Sequence, residues 1–251
     1  MDTLFTAARN DHLDIARFLV EKGAAKDQAA NTGATPLFVA AQSGHLDIVQ
    51  FLVEVGATKD QAANNGATPL LVAAQHGHLN IVQFLVEVGA AKDQADHTGA
   101  TPLFLASQLF HLDIVRFLVE KGAAKDQAEN NGATPLFVAA QSGHLHIVRY
   151  FVEKGAAKNQ SASNGATPLL VAAQSGHLDI VQFLVEVGAA KDQAANTGAT
   201  PLFVSALFGH LHIVRHLVEK GAAKDQAASN GATPLLVAAE RGHHDIVRFL
   251  G

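Results

Sequence analysis

An all-α solenoid of stacked helix pairs is the architecture this sequence encodes, and three observations carry that reading. Thr-Pro-Leu recurs at a step of 33 residues, beginning at Thr35, Thr68, Thr101, Thr134, Thr167, Thr200 and Thr233, and these copies hold all 7 prolines. A Gly-His pair follows at a constant offset in every copy but one, from Gly44-His45 to Gly242-His243. Between these punctuation marks apolar residues return at helical spacing. A stretch of 33 residues is too short to bury its own core, so each copy must hide its apolar face against the next. We divide the chain into eight modules within one domain, 1–30, 31–63, 64–96, 97–129, 130–162, 163–195, 196–228 and 229–251, the first and last incomplete.

The second module shows how each element arises. Thr35 is an N-cap residue and Pro36 takes the first helical position, where its missing N–H and fixed φ cost nothing. Leu37, Val39, Ala40 and Ala41 give this first helix a small-residue packing face, and Gly44 permits the positive φ that ends it. A second helix is expected from about His45. It carries Asp47 in its first turn, where the helix dipole favours an anion, and Leu46, Val49, Leu52 and Val53 on one face. Gly56 stops it, and Ala57 to Gly66, with the turn formers Asn64-Asn65-Gly66, forms a hairpin-like finger.

The order G-x-TPL-x-x-AA, GHL-x-IV, G-A resembles the ankyrin repeat, and the resemblance covers essentially the whole chain. It departs in two places. The usual TPLH histidine is Phe38, Leu71, Phe104, Phe137, Leu170, Phe203 or Leu236, and the usual apolar finger residue is Lys59 and its equivalents. The resemblance implies a curved stack that binds another protein or peptide through the concave groove of its finger tips and inner helices, without catalysis and without a cofactor.

Composition narrows the remaining possibilities. Charged residues make up 16% and the formal net charge is −5, so no polyanion-binding surface is indicated and nucleic acid is not an expected partner. The apolar runs are far below membrane-spanning length. Cysteine is absent, and Met1 to Thr6 lack the basic start and apolar run of a signal peptide, which leads us to expect an intracellular chain, cytoplasmic or nuclear. A monomer is expected, with end-to-end packing the alternative. Ala16 and Arg17 dilute the apolar face of the first module's second helix, so that module reads as a polar cap.

Recognition should lie where the modules differ, because shared residues are committed to stacking. The ends of the first helices read Gln42-Ser43, Gln75-His76, Gln108-Leu109, Gln141-Ser142, Gln174-Ser175, Leu207-Phe208 and Glu240-Arg241, and the finger tips include Asn64, Asn65, His97, Asn130 and Asn131. Partner-contact candidates are therefore Leu109, Phe110, Leu207 and Phe208, ringed by Gln42, Ser43, Gln75, His76, Gln141, Gln174 and those tips. Phe110 stands where other modules carry Gly44 and its equivalents, a position that wants positive φ. Arg17 goes with Lys22, Arg116 with Lys121, Arg149 with Lys154 and Arg215 with Lys220, whereas Gln50, Gln83 and Gln182 go with Val55, Val88 and Val187. No electrostatic reason for this pairing is visible in the sequence, and it reads as duplication of two module types.

Catalytic chemistry is not indicated. Of 14 histidines, eight occupy one module position and are expected to link neighbouring modules through a ring nitrogen. His212 and His216 have metal-capable spacing, and Glu219 follows, but no second helix offers a third ligand. The serines are expected at first-helix ends or in fingers, with no paired base. Asp60 and its equivalents follow Lys59-type residues in every finger but one, where Asn159 stands, and these rows read as mutually screening and solubilising. The function expected is a non-enzymatic interaction scaffold. Its alternatives are a consensus-like or designed array with no dedicated partner, and a metal- or small-ligand-binding module at His212 and His216.

Overall fold

The structure, a computed structural model, describes residues 3–251, with Thr3 described by its backbone alone. The reading of the N-terminus at Met1 and Asp2 lies outside the described residues. These hold sixteen α-helices and no strand, and the chain divides into two compact units, Met1–Asn130 and Asn131–Gly251. In the first unit the pairs are α1 (Thr3–Arg9) with α2 (Leu13–Glu21), α3 (Pro36–Ser43) with α4 (Leu46–Glu54), α5 (Pro69–Gln75) with α6 (Leu79–Glu87), and α7 (Pro102–Gln108) with α8 (Leu112–Glu120). In the second they are α9 (Pro135–Gln141) with α10 (Leu145–Glu153), α11 (Pro168–Ser175) with α12 (Leu178–Glu186), α13 (Pro201–Leu207) with α14 (Leu211–Glu219), and α15 (Pro234–Glu240) with α16 (His244–Leu250). Within each unit the odd-numbered helices stack in one row and the even-numbered helices in a second row behind it.

Each Thr-Pro-Leu starts a helix as its chemistry requires. Thr35 Oγ1 accepts the Phe38 N–H at 3.1 Å, and the other six threonines make the same bond to the residue three further on. Thr35 is wholly buried, so this cap satisfies a donor that water cannot reach, a contribution of about 1 kcal/mol. Leu37, Ala40 and Ala41 are wholly buried, and the two alanines let neighbouring helices of the odd row approach closely. Ser107 and Ser205 sit at such alanine positions inside α7 and α13, not at helix ends or in fingers as expected. Both are buried, and their hydroxyls donate to Leu103 O and Leu202 O at 2.6 and 2.9 Å.

The even-row helices bury a wider arc than the sequence face implied. In α4 it is Ile48, Val49, Phe51 and Leu52 that are buried, while Leu46 and Val53 are half-exposed. The helix packs against its own partner and against the helices of the modules on both sides, so two apolar faces are in use at once.

The Gly-His junction ties module to module. Gly44 closes α3 at φ 84°, and a Cβ there would stand 2.7 Å from Cε1 of His78, so glycine is required by conformation and by the ring seated on it. His78 Nε2 donates to Gln42 O at 3.0 Å, a carbonyl left orphaned at the end of α3. His45, His111, His177, His210 and His243 repeat the bond to Arg9 O, Gln75 O, Gln141 O, Gln174 O and Leu207 O. A carbonyl only accepts, so each Nε2 carries a proton.

The finger carboxylates are brackets as well as surface charges, which corrects the solubilising reading. Asp60 Oδ1 accepts the Ala91 N–H at 2.9 Å, 31 residues on in the next finger. Asp27, Asp93 and Asp192 do the same for Thr58, Ala124 and Ala223, and Asn159 Oδ1 accepts from Ala190 N at 3.0 Å. Screening survives beside this in Lys92–Asp93, Lys125–Asp126 and Lys191–Asp192, whose charges lie 3.6 to 3.9 Å apart.

The paired basic residues also lie over aromatic rings, an electrostatic role that was not visible in the sequence. Lys22, Lys121 and Lys154 lie over Phe18, Phe117 and Tyr150 one turn back, with the ammonium 5.4 to 5.5 Å from the ring centroid. Arg17, Arg149 and Arg215 lie over Phe51, Phe183 and Phe249 of the following module at 4.8, 4.6 and 5.5 Å. Rings covered by Arg17 and Arg149 are 6% and 9% exposed, whereas Phe84 and Phe117, which follow modules carrying Gln50 and Gln83, are half-exposed.

The first module is not a polar cap. Ala16 is wholly buried, while Ile15 and Phe18, whose counterparts Ile48 and Phe51 are buried, are exposed on α2. The substitutions Ala16 and Arg17 leave those two apolar side chains in place.

Candidate partner-binding surface

The anchors named from the sequence fall at the ends of odd-row helices. In the first unit Leu109 caps α7 and is 45% exposed, and Phe110 follows it, 50% exposed at φ 63°. Phe110 thus keeps the left-handed backbone of the glycine it replaces, with a strain of about 1 kcal/mol or more. In the second unit Leu207 ends α13 half-exposed, and Phe208 is 49% exposed, its ring 6.5 Å from and nearly parallel to that of His210. These groups are not swallowed by the core of either unit.

The polar candidates divide into two kinds. Gln42, Ser43, Gln75, His76, Gln141 and Gln174 are exposed. His76 is partly committed: its Nδ1 donates to Val72 O at 2.9 Å and its ring stacks on His78 at 6.1 Å. The finger tips are more heavily engaged. Asn64 Nδ2 donates to Asn31 O and Asn130 Nδ2 to His97 O, both at 2.9 Å, while the Asn64, His97 and Asn130 backbone N–H groups donate to Thr32 O, Asn65 O and Thr98 O. Asn65 Oδ1 and Asn131 Oδ1 accept from Ala67 N and Ala133 N, which turns their amide NH2 groups away from the turn. The tips therefore form an inter-module ladder, and what Asn65 has left to offer is a donor.

In the first unit the fingers and the odd row enclose a groove of about 620 Å³. Phe5, Phe38, Val39 and Ala34 give it an apolar side, and Arg9, Gln42, Asn31, Thr32, Asn64 and Asn65 the polar remainder. It brings together Gln42, Asn64 and Asn65 from the sequence candidates. Phe5 and Arg9 were missed, although Arg9 stands in register with Gln42 and Phe5 with Phe38; reading the first module as a cap hid them. Asp11 was missed in the same way. It occupies the Gly44 position at φ 60°, and its carboxylate lies 3.5 Å from His45 Nδ1.

His212 is exposed, whereas His216 is half-buried and its Nε2 is sealed from solvent without a hydrogen-bond partner. Among the described residues no three His, Cys, Asp or Glu side chains are grouped to hold a metal ion. No helix among them is long and apolar enough to cross a membrane.

The family model for ankyrin repeats in sets of three copies matches residues 1–63, 58–129, 122–195 and 188–251, so consecutive matches cover the chain. The chain belongs to the ankyrin-repeat family. No curated protein matches it as a relative. Ankyrin repeats are generally protein–protein interaction modules and typically not enzymes, and the helix pairs, Thr-Pro caps and histidine links described above are how this ankyrin array builds its surfaces.

Proposed function

We propose that this ankyrin array is a non-enzymatic scaffold that binds a protein or peptide partner, with Leu109 and Phe110 in the first unit and Leu207 and Phe208 in the second as apolar anchors. The observation that carries this reading is Phe110. It is a large aromatic side chain held half-exposed on a strained left-handed backbone, at a position where the other modules after the first place glycine. Exposed aromatic and aliphatic groups at the centre of a polar surface are the usual carriers of binding energy. Gln42, Ser43, Gln75, His76, Gln141 and Gln174, with the tips at Asn64, Asn65, His97, Asn130 and Asn131, surround these anchors in their units and fix a partner's orientation.

The test is to select binders from a phage-displayed library of random peptides on the intact chain, then measure them against a Phe110→Gly, Leu207→Gln double variant. Circular dichroism of the variant should match the parent and its melting should be no lower, because both positions lie outside the buried core and glycine at 110 relieves the left-handed strain. Loss of most selected binders supports the scaffold reading. Binders that hold the double variant as tightly as the parent would sink the proposed anchors.

A further inference from the structure

We infer that the groove of the first unit, between the fingers and α1 and α3, takes an extended acidic segment of the partner, with a carboxylate at Arg9 and a neighbouring apolar side chain against Phe5, Phe38 and Val39. The inference rests on the scaffold reading and adds the chemistry of what is bound.

Charge complementarity carries it. Of the described residues that line the groove, Arg9 alone is charged, and among the described residues no carboxylate pairs with its guanidinium. The nearest acid in sequence, Asp11, is turned to His45. Register sharpens the point: the corresponding position is neutral in Gln42, Gln75 and Gln108, so within this unit the cation is confined to one end of the inner-helix row.

Some of the remaining polar groups have the same bias. The oxygen of Asn65 is consumed by Ala67 N, leaving its NH2 group, and the carbonyl of Arg9 is taken by His45 Nε2. The tip carbonyls Asn31 O and Asn65 O are likewise occupied, by Asn64 Nδ2 and His97 N. Asn64, whose NH2 is spent on Asn31 O, keeps an acceptor, so the preference for an acid rests on the Arg9 guanidinium with the Asn65 NH2 beside it. Phe38, Val39 and Ala34 are nearly buried but form the groove's side, so an apolar side chain beside the carboxylate can be sheltered there. The volume of about 620 Å³ lies in the range of sites that enclose a short peptide stretch or a comparable ligand.

The chain as a whole carries a net charge of −5, which repels acidic peptides, so any acid preference must be local. That makes the test sharp. The same random-peptide library is selected in parallel on the parent chain and on Arg9→Gln, which installs the residue that Gln42 already shows the fold accepts. Acid content of the two pools is compared, and the best acidic peptide is measured by fluorescence anisotropy beside its version with each Asp or Glu changed to Asn or Gln.

Parent-selected peptides should be enriched in Asp and Glu next to an apolar residue. The acidic form should bind about tenfold tighter than its amide form, and Arg9→Gln should erase both the enrichment and the difference. Binders with equal acid content from both chains would overturn the acidic segment while leaving the scaffold standing. No binders from either chain would remove both readings. Arg9→Gln with altered melting would be replaced by Arg9→Lys, which keeps the charge and should retain the acid preference without the bidentate contact; loss of that preference in a folded Lys variant would also overturn the inference.

Discussion

Asp60 and its equivalents show how one side chain can serve two purposes at one position. The carboxylate is partly solvated and near a lysine, yet one oxygen reaches the backbone N–H of the next finger, and Asn159 makes the same bond without a charge. Asp60→Asn should therefore change stability by no more than about 0.5 kcal/mol, and Asp60→Ala should lower it by about 1 kcal/mol, read from urea midpoints at constant slope. Equal losses would mean that charge rather than the bracket matters. His216 is the opposite case, a polar atom with nothing to do. It stands in α14 where α4, α6, α8 and α12 carry phenylalanine, and its Nε2 is buried without a partner. Filling the site with carbon removes that penalty, so His216→Phe should raise stability by about 1–2 kcal/mol. A loss on this substitution would show that the ring nitrogen is satisfied in solution.

Even-row helices are joined across modules by more than apolar burial. Arg149 in α10 projects over Phe183 in α12, and the ring beneath it is nearly buried, whereas rings that follow a glutamine module stay half-open. Arg149→Gln should cost about 0.5–1 kcal/mol, with Arg149→Lys recovering part of it, by denaturant titration. An unchanged midpoint for the Gln variant would make the stacking incidental. These links mark the border of what could be read from the chain. Thr35, Pro36 and Gly44 act within a few residues of themselves, so helix starts and stops were legible, as was the one position where Phe110 breaks the rule. The partners Asp60 to Ala91 and Arg17 to Phe51 lie 31 and 34 residues apart, and their meeting depends on how far one module is rotated against the next. No local periodicity encodes that rotation. Phe5, Arg9 and Asp11 were hidden for a different reason, because the incomplete first module was read as a polar cap.

Packing throughout each unit is between neighbours. In the first unit α8 touches α7 and α6, and α7 touches α5, while the main contacts of α1 and α2 are with their own module and the next. Energetically such a unit is a row of terms, each helix pair contributing its own stability and its contacts with adjacent pairs. Leu118 is wholly buried in α8, and Leu118→Ala should cost about 2–5 kcal/mol, the spread reflecting how far the cavity can collapse. The distribution of that loss is the informative part. If coupling runs only between neighbours, hydrogen exchange should quicken first in α7 and α8, then in α5 and α6, while amides of α1 to α4 keep most of their protection. Uniform loss from α1 to α8 would mean that the unit opens as one cooperative block. In that event the contacts between modules outweigh the stability within them, and the histidine and aspartate brackets, which act only between modules, would be the residues that set the unit's cooperativity.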